Sequence, residues 1–204
     1  MSRKEHWQKI YKEKSPFEVS WYQNKPCVSL SIINTLPLGK DDKIIDVGGG
    51  ASTLVDYLLK QDFKNISVLD LSSNALVLAK KRLGEKSKRV NWQIADVTQF
   101  TPEQTFSLWH DRAVFHFLTG KSEREKYKNV LASAINIGGY VIIAAFAIGG
   151  PTTCSGLDIV QYDAAKIKQE FEPLFKLIDQ KSEIHITPAG REQLFGYYVL
   201  SKNA

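Results

Sequence analysis

The sequence predicts an α/β fold: a doubly wound, seven-stranded, mostly parallel sheet that ends in an antiparallel hairpin. Three observations lead to this prediction. Short apolar strand patterns alternate with helical patterns through the middle of the chain. A run of glycines directly follows the first strand pattern. The last two strand patterns have no helix between them, and strands joined without a crossover must pair antiparallel.

The composition is that of a globular protein. Hydrophobic residues make up 43% of the 204 residues, and charged residues make up 24%. This length predicts a single domain over 1–204, with a helical lead-in over 1–40 and a core over 41–204. The formal net charge is +5, and the basic residues within 80–89 are interpreted as a solvated helix face. Nucleic-acid contact is the lesser alternative.

Three features bear on metal binding and location. Cys27 and Cys154 lie far apart and in no metal-ligand spacing, so we expect neither a disulfide framework nor a metal site. No apolar stretch follows the N-terminal residues. The longest apolar run, 140–148, is shorter than the roughly 20 residues that span a bilayer. We therefore expect a soluble cytoplasmic protein without membrane contact.

The lead-in contains two predicted helices. Apolar residues recur at helical spacing over 6–14, and Ser15-Pro16 ends this first helix. Pro26 suits the first turn of the second helix, and Pro37 stops it.

The core then alternates strands with helices. Its fifth strand, YVIIAAF, is apolar throughout, as expected of a central parallel strand that is buried on both faces. Ser72 or Ser73 caps the helix after the second strand, and Gly84 ends it. The parallel strands are predicted over 43–47, 66–71, 90–95, 106–109 and 140–146, the other helices over 54–59, 123–137 and 163–171, and the terminal strands over 176–186 and 194–200, with a turn at 187–190.

The segment 46–50, with the sequence DVGGG, links the first strand to the next helix. Its glycines lack a Cβ, so the backbone can turn sharply and approach a ligand closely. A dinucleotide fingerprint would need a further glycine where Thr53 stands, and a plain tight turn is the other alternative. The predicted cofactor-binding loop comprises Asp46, Gly48, Gly49 and Gly50.

Two further acids end the second and third strands. Asp70, followed by Leu71, stands where a carboxylate can accept hydrogen bonds from both ribose hydroxyls of an adenosine. Asp96 can accept a hydrogen bond from an adenine amino group while Val97 packs against the ring. For each acid taken alone, a capping or surface role is the alternative.

The run 44–146 resembles the class I S-adenosylmethionine-dependent methyltransferase superfamily, whose fold is Rossmann-like. The segment 46–52 matches the D-x-G-x-G-x-G turn of that superfamily, except that Ser52 stands where the third glycine is usual. Asp70 and Asp96 match its ribose and adenine acids. A serine fits the turn if its φ is negative. The resemblance implies S-adenosylmethionine as the cofactor and methyl transfer as the activity.

The fourth strand ends in the densest polar cluster of an otherwise apolar stretch. In-line transfer from a sulfonium needs alignment and desolvation, and a base where the acceptor carries a proton. In the superfamily this position bears family-specific residues, and a histidine there could act as a base near neutral pH. A structural Asp–Arg pair with structural histidines is the alternative. The candidate catalytic residues are His110, Asp111, Arg112 and His116.

Two other segments can reach the same rim. The glycine-rich segment 149–157 follows the fifth strand and contains Cys154, so it is a lid, an acceptor-site wall, or an ordinary loop with an inert thiol. Arg191 in the terminal hairpin would, together with Arg112, suit an anionic acceptor. The other candidates in the hairpin are His185, Thr187, Pro188 and Gly190.

Aromatic residues concentrate in the lead-in, where Trp7, Tyr11 and Trp21 could cover the cofactor, and we count Trp21 among the cofactor-binding residues. Hydrophobic packing of the lead-in is the alternative. With the segment 111–113, this pattern is similar to lysine methyltransferases that act on elongation factors, although those usually have Asp-Lys-Gly where this chain has Asp-Arg-Ala. It is also similar to small bacterial methyltransferases of metabolites, thiols and metalloid oxyanions.

Three functions therefore stay open. A methyltransferase of a small-molecule substrate is favoured, because the chain is compact and polar groups converge on one rim; it predicts a deep, closed pocket. A protein lysine methyltransferase predicts a narrow aromatic channel. A non-catalytic cofactor-binding interaction module would keep the glycine turn without turnover. An RNA substrate is not favoured, because no segment resembles the Asn-Pro-Pro-Tyr grip on a flipped base.

Overall fold

The computed structural model describes residues 2–203. Its α-helices are α1 (Arg3–Glu13), α2 (Cys27–Ile33), α3 (Leu54–Lys60), α4 (Ser73–Leu83), α5 (Lys121–Ala134) and α6 (Ala164–Phe171). Its strands are β1 (Lys43–Val47), β2 (Asn65–Asp70), β3 (Val90–Ile94), β4 (Phe106–Arg112), β5 (Ile135–Phe146), β6 (Thr153–Cys154), β7 (Leu157–Asp158), β8 (Phe175–Ile186) and β9 (Glu192–Lys202). Short 3₁₀ helices cover Pro16–Glu18, Gly84–Arg89 and Phe115–Phe117.

The main sheet has seven strands in the order β3-β2-β1-β4-β5-β9-β8. The first five pair in parallel, whereas β9 runs antiparallel to both β5 and β8. The predicted fold class is therefore confirmed. The direction of chain progression reverses between β1 and β4, and open α/β sheets bind ligands beyond the carboxyl ends of the strands at such a switch point.

Successive residues of a strand point to opposite faces of the sheet, so each strand contributes to two separate cores. Leu108 of β4 packs in the core beneath α2, α3 and α4, whereas Trp109 packs in the core formed with α5 and α6. This alternation continues along β4. His110 and Arg112 therefore share the face of Leu108, and Asp111 lies on the face of Trp109.

Several element ends differ from the prediction, two of them because of strand pairing. The strand predicted over 106–109 continues to Arg112, because His110 pairs with Asp46 of β1 and Arg112 pairs with Ala144 of β5. The helix predicted over 123–137 ends at Ala134, where the chain passes straight into β5. In both cases the pairing between strands, which a sequence pattern does not show, outweighs local composition. The caps of α4 are as predicted, with Ser72 at its start and Gly84 at its end.

The glycine-rich segment 149–157 is partly ordered by the short β6–β7 hairpin, in which Cys154 pairs with Leu157. The terminal β8–β9 pair is joined at 187–190, where the Thr187 N–H donates to the Arg191 carbonyl at 2.8 Å. Within residues 2–203, no helix has both the length and the apolar character needed to cross a bilayer.

Candidate active site

Two adjoining pockets open at the carboxyl ends of the parallel strands. The larger, of about 770 Å³, runs from the ends of β2 and β3 to Cys154. The smaller, of about 560 Å³, lies over the glycine turn after β1 and against α2. Both pockets are lined by Tyr11, Trp21, Val47, Gly48 and Arg112. These shared walls make the two pockets one continuous site at the switch point of the sheet.

The glycine turn needs residues without a side chain. Gly48 has a φ of +66°, and a Cβ at that position would collide with the side chain of Val114. Gly50 has a φ of +28°, and a Cβ there would come to 2.5 Å from Oδ2 of Asp70. Gly48 lines both pockets, while Gly50 lies beneath them against Asp70. The turn thus brings backbone against the ends of β1 and β2.

Ser52 replaces a glycine of the superfamily pattern without strain. Its hydroxyl accepts a hydrogen bond from the Leu54 N–H at 3.1 Å, which satisfies a donor at the start of α3. Its φ is not positive, which is the condition under which a serine fits this turn. Outside glycine, the positive φ values among the described residues belong to Asp62, Ala113 and Ser155.

Asp46 lines the smaller pocket and is held by two buried residues behind it. Oδ1 of Asp46 lies 2.7 Å from Nδ1 of His110, and Nε2 of His110 lies 2.9 Å from the Ser29 hydroxyl. Oδ2 of Asp46 is buried and has no hydrogen-bond partner within the described chain. A Cβ on Gly49 would lie 2.5 Å from this oxygen, so the glycine keeps the space beside it open.

Asp70 lines the larger pocket together with Leu71. Its Oδ1 accepts a hydrogen bond from the Ser72 N–H at 2.7 Å. Burial raises the pKa of this carboxyl to about 7, against the opposing effect of backbone hydrogen bonds from Ser72 and Gly50. The charge of Asp46 raises it further. Asp70 therefore changes its charge near neutral pH in the ligand-free protein.

Asp96 and Val97 form the far wall of the larger pocket. Oδ1 of Asp96 accepts hydrogen bonds from both the N–H and the hydroxyl of Thr98, at 2.9 and 2.8 Å. Its other carboxylate oxygen accepts no hydrogen bond within the described residues. Val97 is 7% exposed, so it presents a small apolar surface next to an acceptor.

The lead-in covers the site with packed aromatic rings. Trp7 lies edge-to-face against Trp21, with centroids 5.5 Å apart, and against Phe117, at 5.2 Å. The indole N–H of Trp21 donates to the Tyr11 hydroxyl at 3.1 Å. Gln8 ties α1 to the start of α4 through hydrogen bonds to Ser72, Ser73 and Asn74.

Of the four predicted catalytic residues, Arg112 alone lines both pockets. Its Nε donates to the Tyr197 hydroxyl at 2.9 Å, and its Nη1 donates to the Trp21 carbonyl at 3.1 Å. Its guanidinium lies over the Phe195 ring, 4.4 Å from the centroid, and Nη2 is 3.6 Å from a Glu183 carboxylate oxygen. Nη2 itself has no hydrogen-bond partner in the described residues.

His110 lines the smaller pocket, but both of its ring nitrogens are occupied. The sequence predicts it as a catalytic group beside the sulfonium. The structure instead places it as the link that fixes Asp46 against Ser29. Both ring nitrogens of His110 are therefore engaged by Asp46 and Ser29 in the ligand-free protein.

Asp111, predicted as catalytic, lines neither pocket. It is fully buried and accepts hydrogen bonds from the Tyr127 hydroxyl at 2.7 Å and the Val114 N–H at 2.9 Å. Burial raises its pKa to about 6. Its contacts fix the turn after β4, and it makes no ion pair with its neighbour Arg112 within the described chain.

His116 was also predicted as a catalytic residue. It is fully buried against Phe146 and lines neither pocket. Its Nδ1 accepts the Phe146 N–H at 3.4 Å. Burial and the nearby positive charge of Arg112 lower its pKa to about 3, so the ring stays neutral at physiological pH.

Of the residues predicted on the substrate side, one lines the site and the others lie outside the two pockets. Cys154 lines the larger pocket, but burial raises the pKa of its thiol to about 11, so it forms a neutral wall. His185 is buried behind the site, with Nε2 2.8 Å from the Ser20 carbonyl. Arg191 is exposed at the β8–β9 turn and lines neither pocket.

Several residues of the site escaped the sequence analysis. Ser29 sits in an apolar helix pattern, and Glu183 and Tyr197 lie on strands whose register a sequence does not give. Tyr11 was identified as a possible cover, and its place on both pockets makes it part of the site. A polar residue inside an apolar helix face was the one available signal for Ser29.

Comparisons with known proteins agree with this geometry. A family described as "Methyltransferase domain" matches residues 45–141. The malonyl-[acyl-carrier protein] O-methyltransferase 1 of Ilyobacter polytropus is 29% identical over 109 residues, which cover 52% of this chain and 39% of that protein. The chain therefore aligns with well under half the length of this curated relative.

Two solved structures show the same fold at low sequence identity. An S-adenosylmethionine-dependent methyltransferase of Anabaena variabilis superposes with a TM-score of 0.77 at 17% identity, covering 100% of this chain and 96% of that one. The 1,6-didemethyltoxoflavin N1-methyltransferase of Burkholderia thailandensis, with 1,6-didemethyltoxoflavin and S-adenosylhomocysteine bound, superposes with a TM-score of 0.72 at 14% identity, covering 98% and 87%. The family match over residues 45–141, the strand order and the glycine turn agree, and this chain has the fold of the class I S-adenosylmethionine-dependent methyltransferases.

Proposed function

We propose that this chain transfers a methyl group from S-adenosylmethionine to a small-molecule acceptor. The observation that carries the proposal is a pair of buried carboxylates, Asp46 and Asp70, beside the glycine turn at the switch point of the sheet. Both line the continuous site, and Oδ2 of Asp46 has no partner in the described chain. Buried polar atoms are nearly always paired, so an unpaired acceptor in a pocket indicates a ligand that donates to it.

The residues present fit the cofactor. The larger pocket suits adenosine, with Asp70 accepting from the ribose hydroxyls and Asp96 accepting from the adenine amino group beside Val97. The smaller pocket suits the amino-acid end, where the free oxygen of Asp46 would accept a hydrogen bond from the ammonium group. When bound, the cofactor supplies an activated methyl group on a positively charged sulfur.

The chain's own residues would then orient the reactants and exclude water. The rings of Trp7, Trp21 and Phe117 cover the larger pocket, and α1 is fastened over it by Gln8. A covered, aromatic pocket suits a small acceptor, which is the kind of ligand bound in the Burkholderia neighbour. Alignment of two bound reactants supplies much of the rate enhancement in such a displacement.

The test begins with calorimetric titration of the purified chain with S-adenosylmethionine and S-adenosylhomocysteine, with Asp41→Asn as a matched surface control. We expect saturable binding of both and release of S-adenosylhomocysteine in the presence of a small-molecule acceptor panel. If neither nucleoside produces heat or a thermal shift, the proposal is rejected. Transfer of label from the cofactor to protein bands of a lysate, without small-molecule products, would support the lysine alternative instead.

A further inference from the structure

We propose that Ser29 and His110 are positioning residues that hold Asp46 as a fixed carboxylate with its full negative charge, and that the site thereby selects ligands that carry an ammonium group. This inference deepens the proposed function and rests on it, because the ammonium is the one at the amino-acid end of S-adenosylmethionine. Three features support it: the burial of the three side chains, the order of the protons between them, and the lack of another partner for Asp46 among the described residues.

The first feature is the burial of three hydrogen-bonded polar side chains in the wall of the smaller pocket. Ser29 is fully buried, and Asp46 and His110 are each 2% exposed, although all three line that pocket. Asp46 and His110 are directly paired residues of β1 and β4, on the face of the sheet that α2 covers. Buried polar groups cost free energy unless they are hydrogen-bonded, so each of the three must be held by its neighbours.

The second feature is the order of the protons between these side chains. A carboxylate only accepts hydrogen bonds, so Nδ1 of His110, which lies 2.7 Å from Oδ1 of Asp46, carries a proton. The Ser29 hydroxyl lies 2.9 Å from Nε2 and has no other hydrogen-bond partner within the described residues. Because this hydroxyl is buried, Nε2 is the acceptor of its proton. His110 is therefore a neutral ring that donates to Asp46 and accepts from Ser29.

The third feature is the charge that this arrangement leaves on Asp46. A neutral imidazole donates one hydrogen bond but does not cancel the negative charge of the carboxylate. Asp46 forms no ion pair with a lysine or an arginine in the described chain, and its Oδ2 has no hydrogen-bond partner there. A cation that binds beside such a buried carboxylate stabilises it. An ammonium group supplies both the missing charge and the missing hydrogen-bond donor.

His110 also fixes the direction in which the second carboxylate oxygen of Asp46 points. The imidazole ring is held at two points, by β1 through Asp46 and by α2 through Ser29. Gly49 leaves space beside Oδ2, where a Cβ would lie 2.5 Å from the oxygen. Because no side chain at Gly49 prevents rotation of the carboxylate, the hydrogen bond from Nδ1 holds it in place. Loss of this bond should lower the affinity for an ammonium group and leave the nucleoside pocket unchanged.

A purely structural role for His110 leads to a different expectation. If the ring only fills space between α2 and the sheet, its replacement lowers the stability of the fold and affects the binding of every ligand alike. A positioning role affects only the ligands that contact Asp46. S-adenosylhomocysteine and its deaminated analogue separate the two roles, because the analogue keeps the adenosine, the thioether and the carboxylate but lacks the ammonium group.

Two substitutions of His110 remove one hydrogen bond each. The amide of asparagine lies close to the position of Nδ1 in histidine, so His110→Asn can still donate to Asp46 while the contact with Ser29 is lost. The amide of glutamine lies close to the position of Nε2, so His110→Gln can still accept from Ser29 while Asp46 loses its donor. The matched control is His116→Gln, the same change at a fully buried histidine that lines neither pocket.

Calorimetry with the purified full chain measures the affinities for both ligands. In the parent we expect S-adenosylhomocysteine to bind about 10- to 100-fold more tightly than its deaminated analogue, as for a hydrogen bond between charged groups. His110→Gln should lose most of this preference, and His110→Asn should recover the larger part of it. The affinity for the analogue should stay within about two-fold of the parent in all variants. His116→Gln should keep the preference of the parent.

Ser29→Ala tests the order of the protons. Without the hydroxyl, Nε2 of His110 can take up a second proton, and the resulting imidazolium would cancel the charge of Asp46. We expect the affinity for S-adenosylhomocysteine to fall several-fold, whereas Ser31→Ala, at an exposed position of the same helix, should leave it unchanged. ¹⁵N NMR of the histidine-labelled parent reads the ring directly. A neutral ring gives two different nitrogens, with the proton on Nδ1, and an imidazolium gives two similar ones.

The outcomes separate this inference from the proposed function. If His110→Gln and His110→Asn lose the same share of the preference, or if both also bind the deaminated analogue more weakly, His110 is structural and the inference is wrong. A protonated Nε2 in the parent also overturns it. If the parent binds both ligands equally, Asp46 does not contact the ammonium group; the inference is then wrong and the methyltransferase assignment stands. Failure of the parent to bind either ligand rejects the proposed function itself.

Discussion

The ends of β1 and β2 and the end of β4 both carry acidic residues, but they use them differently. Asp46 and Asp70 face the pockets beside the glycine turn, each with room for a ligand. Asp111, one residue before Arg112, faces the opposite core and spends both oxygens on Tyr127 and on backbone N–H groups. Acids of the same type, near the same edge of one sheet, thus have separate tasks.

The difference comes from what surrounds each strand end. After β1 and β2 the chain turns at once into a loop, and Asp46 and Asp70, next to or at these strand ends, line the pockets. At β4 the strand continues through its polar residues, and alternation sends His110 and Arg112 to one face and Asp111 to the other. A dense polar cluster in the sequence is therefore divided between two sides of the sheet.

The largest expected effect comes from Asp111→Ala. The change leaves the Tyr127 hydroxyl and two backbone N–H groups buried without their acceptor, so we expect the free energy of unfolding to fall by about 3 kcal/mol. The affinity of the folded protein for S-adenosylhomocysteine should stay within about two-fold. Urea denaturation and calorimetry measure the two quantities.

The matched control for Asp111 is Asp41→Ala, which removes an exposed carboxylate that pairs with Lys64. It should leave both the stability and the affinity unchanged. A loss of cofactor affinity in Asp111→Ala with stability retained would contradict the division between the two faces, because it would place Asp111 at the ligand.

Asp70→Asn should act in the opposite way: it should weaken cofactor binding without weakening the fold. Removal of the charged acceptor should weaken S-adenosylhomocysteine binding by on the order of 1.5–3 kcal/mol. The ligand-free protein should become more stable at pH 8, since burial raises the pKa of Asp70 to about 7 from 3.8. Such a group stabilises the fold at low pH, and this contribution is lost as pH rises through about 7.

Calorimetry at pH 8 measures the expected loss of affinity in Asp70→Asn, and the urea midpoint of the ligand-free protein measures the expected gain in stability. Equal affinity in Asp70→Asn and the parent would remove Asp70 from the ribose position. A fall in stability at pH 8 would instead mean that the carboxylate is needed by the fold, as at Asp111.

The same pKa predicts a pH dependence of cofactor binding. Ribose hydroxyls donate better to an ionised Asp70, so binding lowers its pKa from about 7. The affinity for S-adenosylhomocysteine should therefore rise as pH increases toward about 7 and level off above it. Titrations between pH 5.5 and 8.5 check this, roughly one unit or more on either side of the pKa. In Asp70→Asn the slope should disappear, and a slope that persists would point to another group.

Sequence reasoning succeeded where local chemistry determines the structure. The end of the first strand at Val47, the glycine turn and the caps Ser72 and Gly84 each follow from one short segment, and the structure has them at the predicted positions. The mostly parallel sheet could be predicted for the same reason, because the alternation of strands and helices is visible in successive short segments.

Sequence reasoning failed where contacts between distant segments determine the structure. The strand β4 was predicted to end at Trp109. It was therefore not apparent that Asp111 and Arg112 lie on opposite faces of the sheet. Tyr197, 85 residues from Arg112 in sequence, reaches it only through the pairing of β9 with β5. Register between strands far apart in the chain is a tertiary property, which no single segment encodes.

The smallest expected effect comes from a substitution at Ala113, in the turn that follows β4. Ala113, just after β4, has a φ of +69°, and its N–H donates to the Ala144 carbonyl at 2.8 Å. A left-handed conformation costs an alanine roughly 1–2 kcal/mol, and a glycine avoids this at the expense of a more flexible unfolded chain. Ala113→Gly should therefore stabilise the protein by about 0.5 kcal/mol. The same substitution at Ala132, within α5, should destabilise it by about 1 kcal/mol. Thermal unfolding measures the stability of both variants. If the two melting temperatures shift in the same direction, the backbone at Ala113 is not held in a strained left-handed conformation.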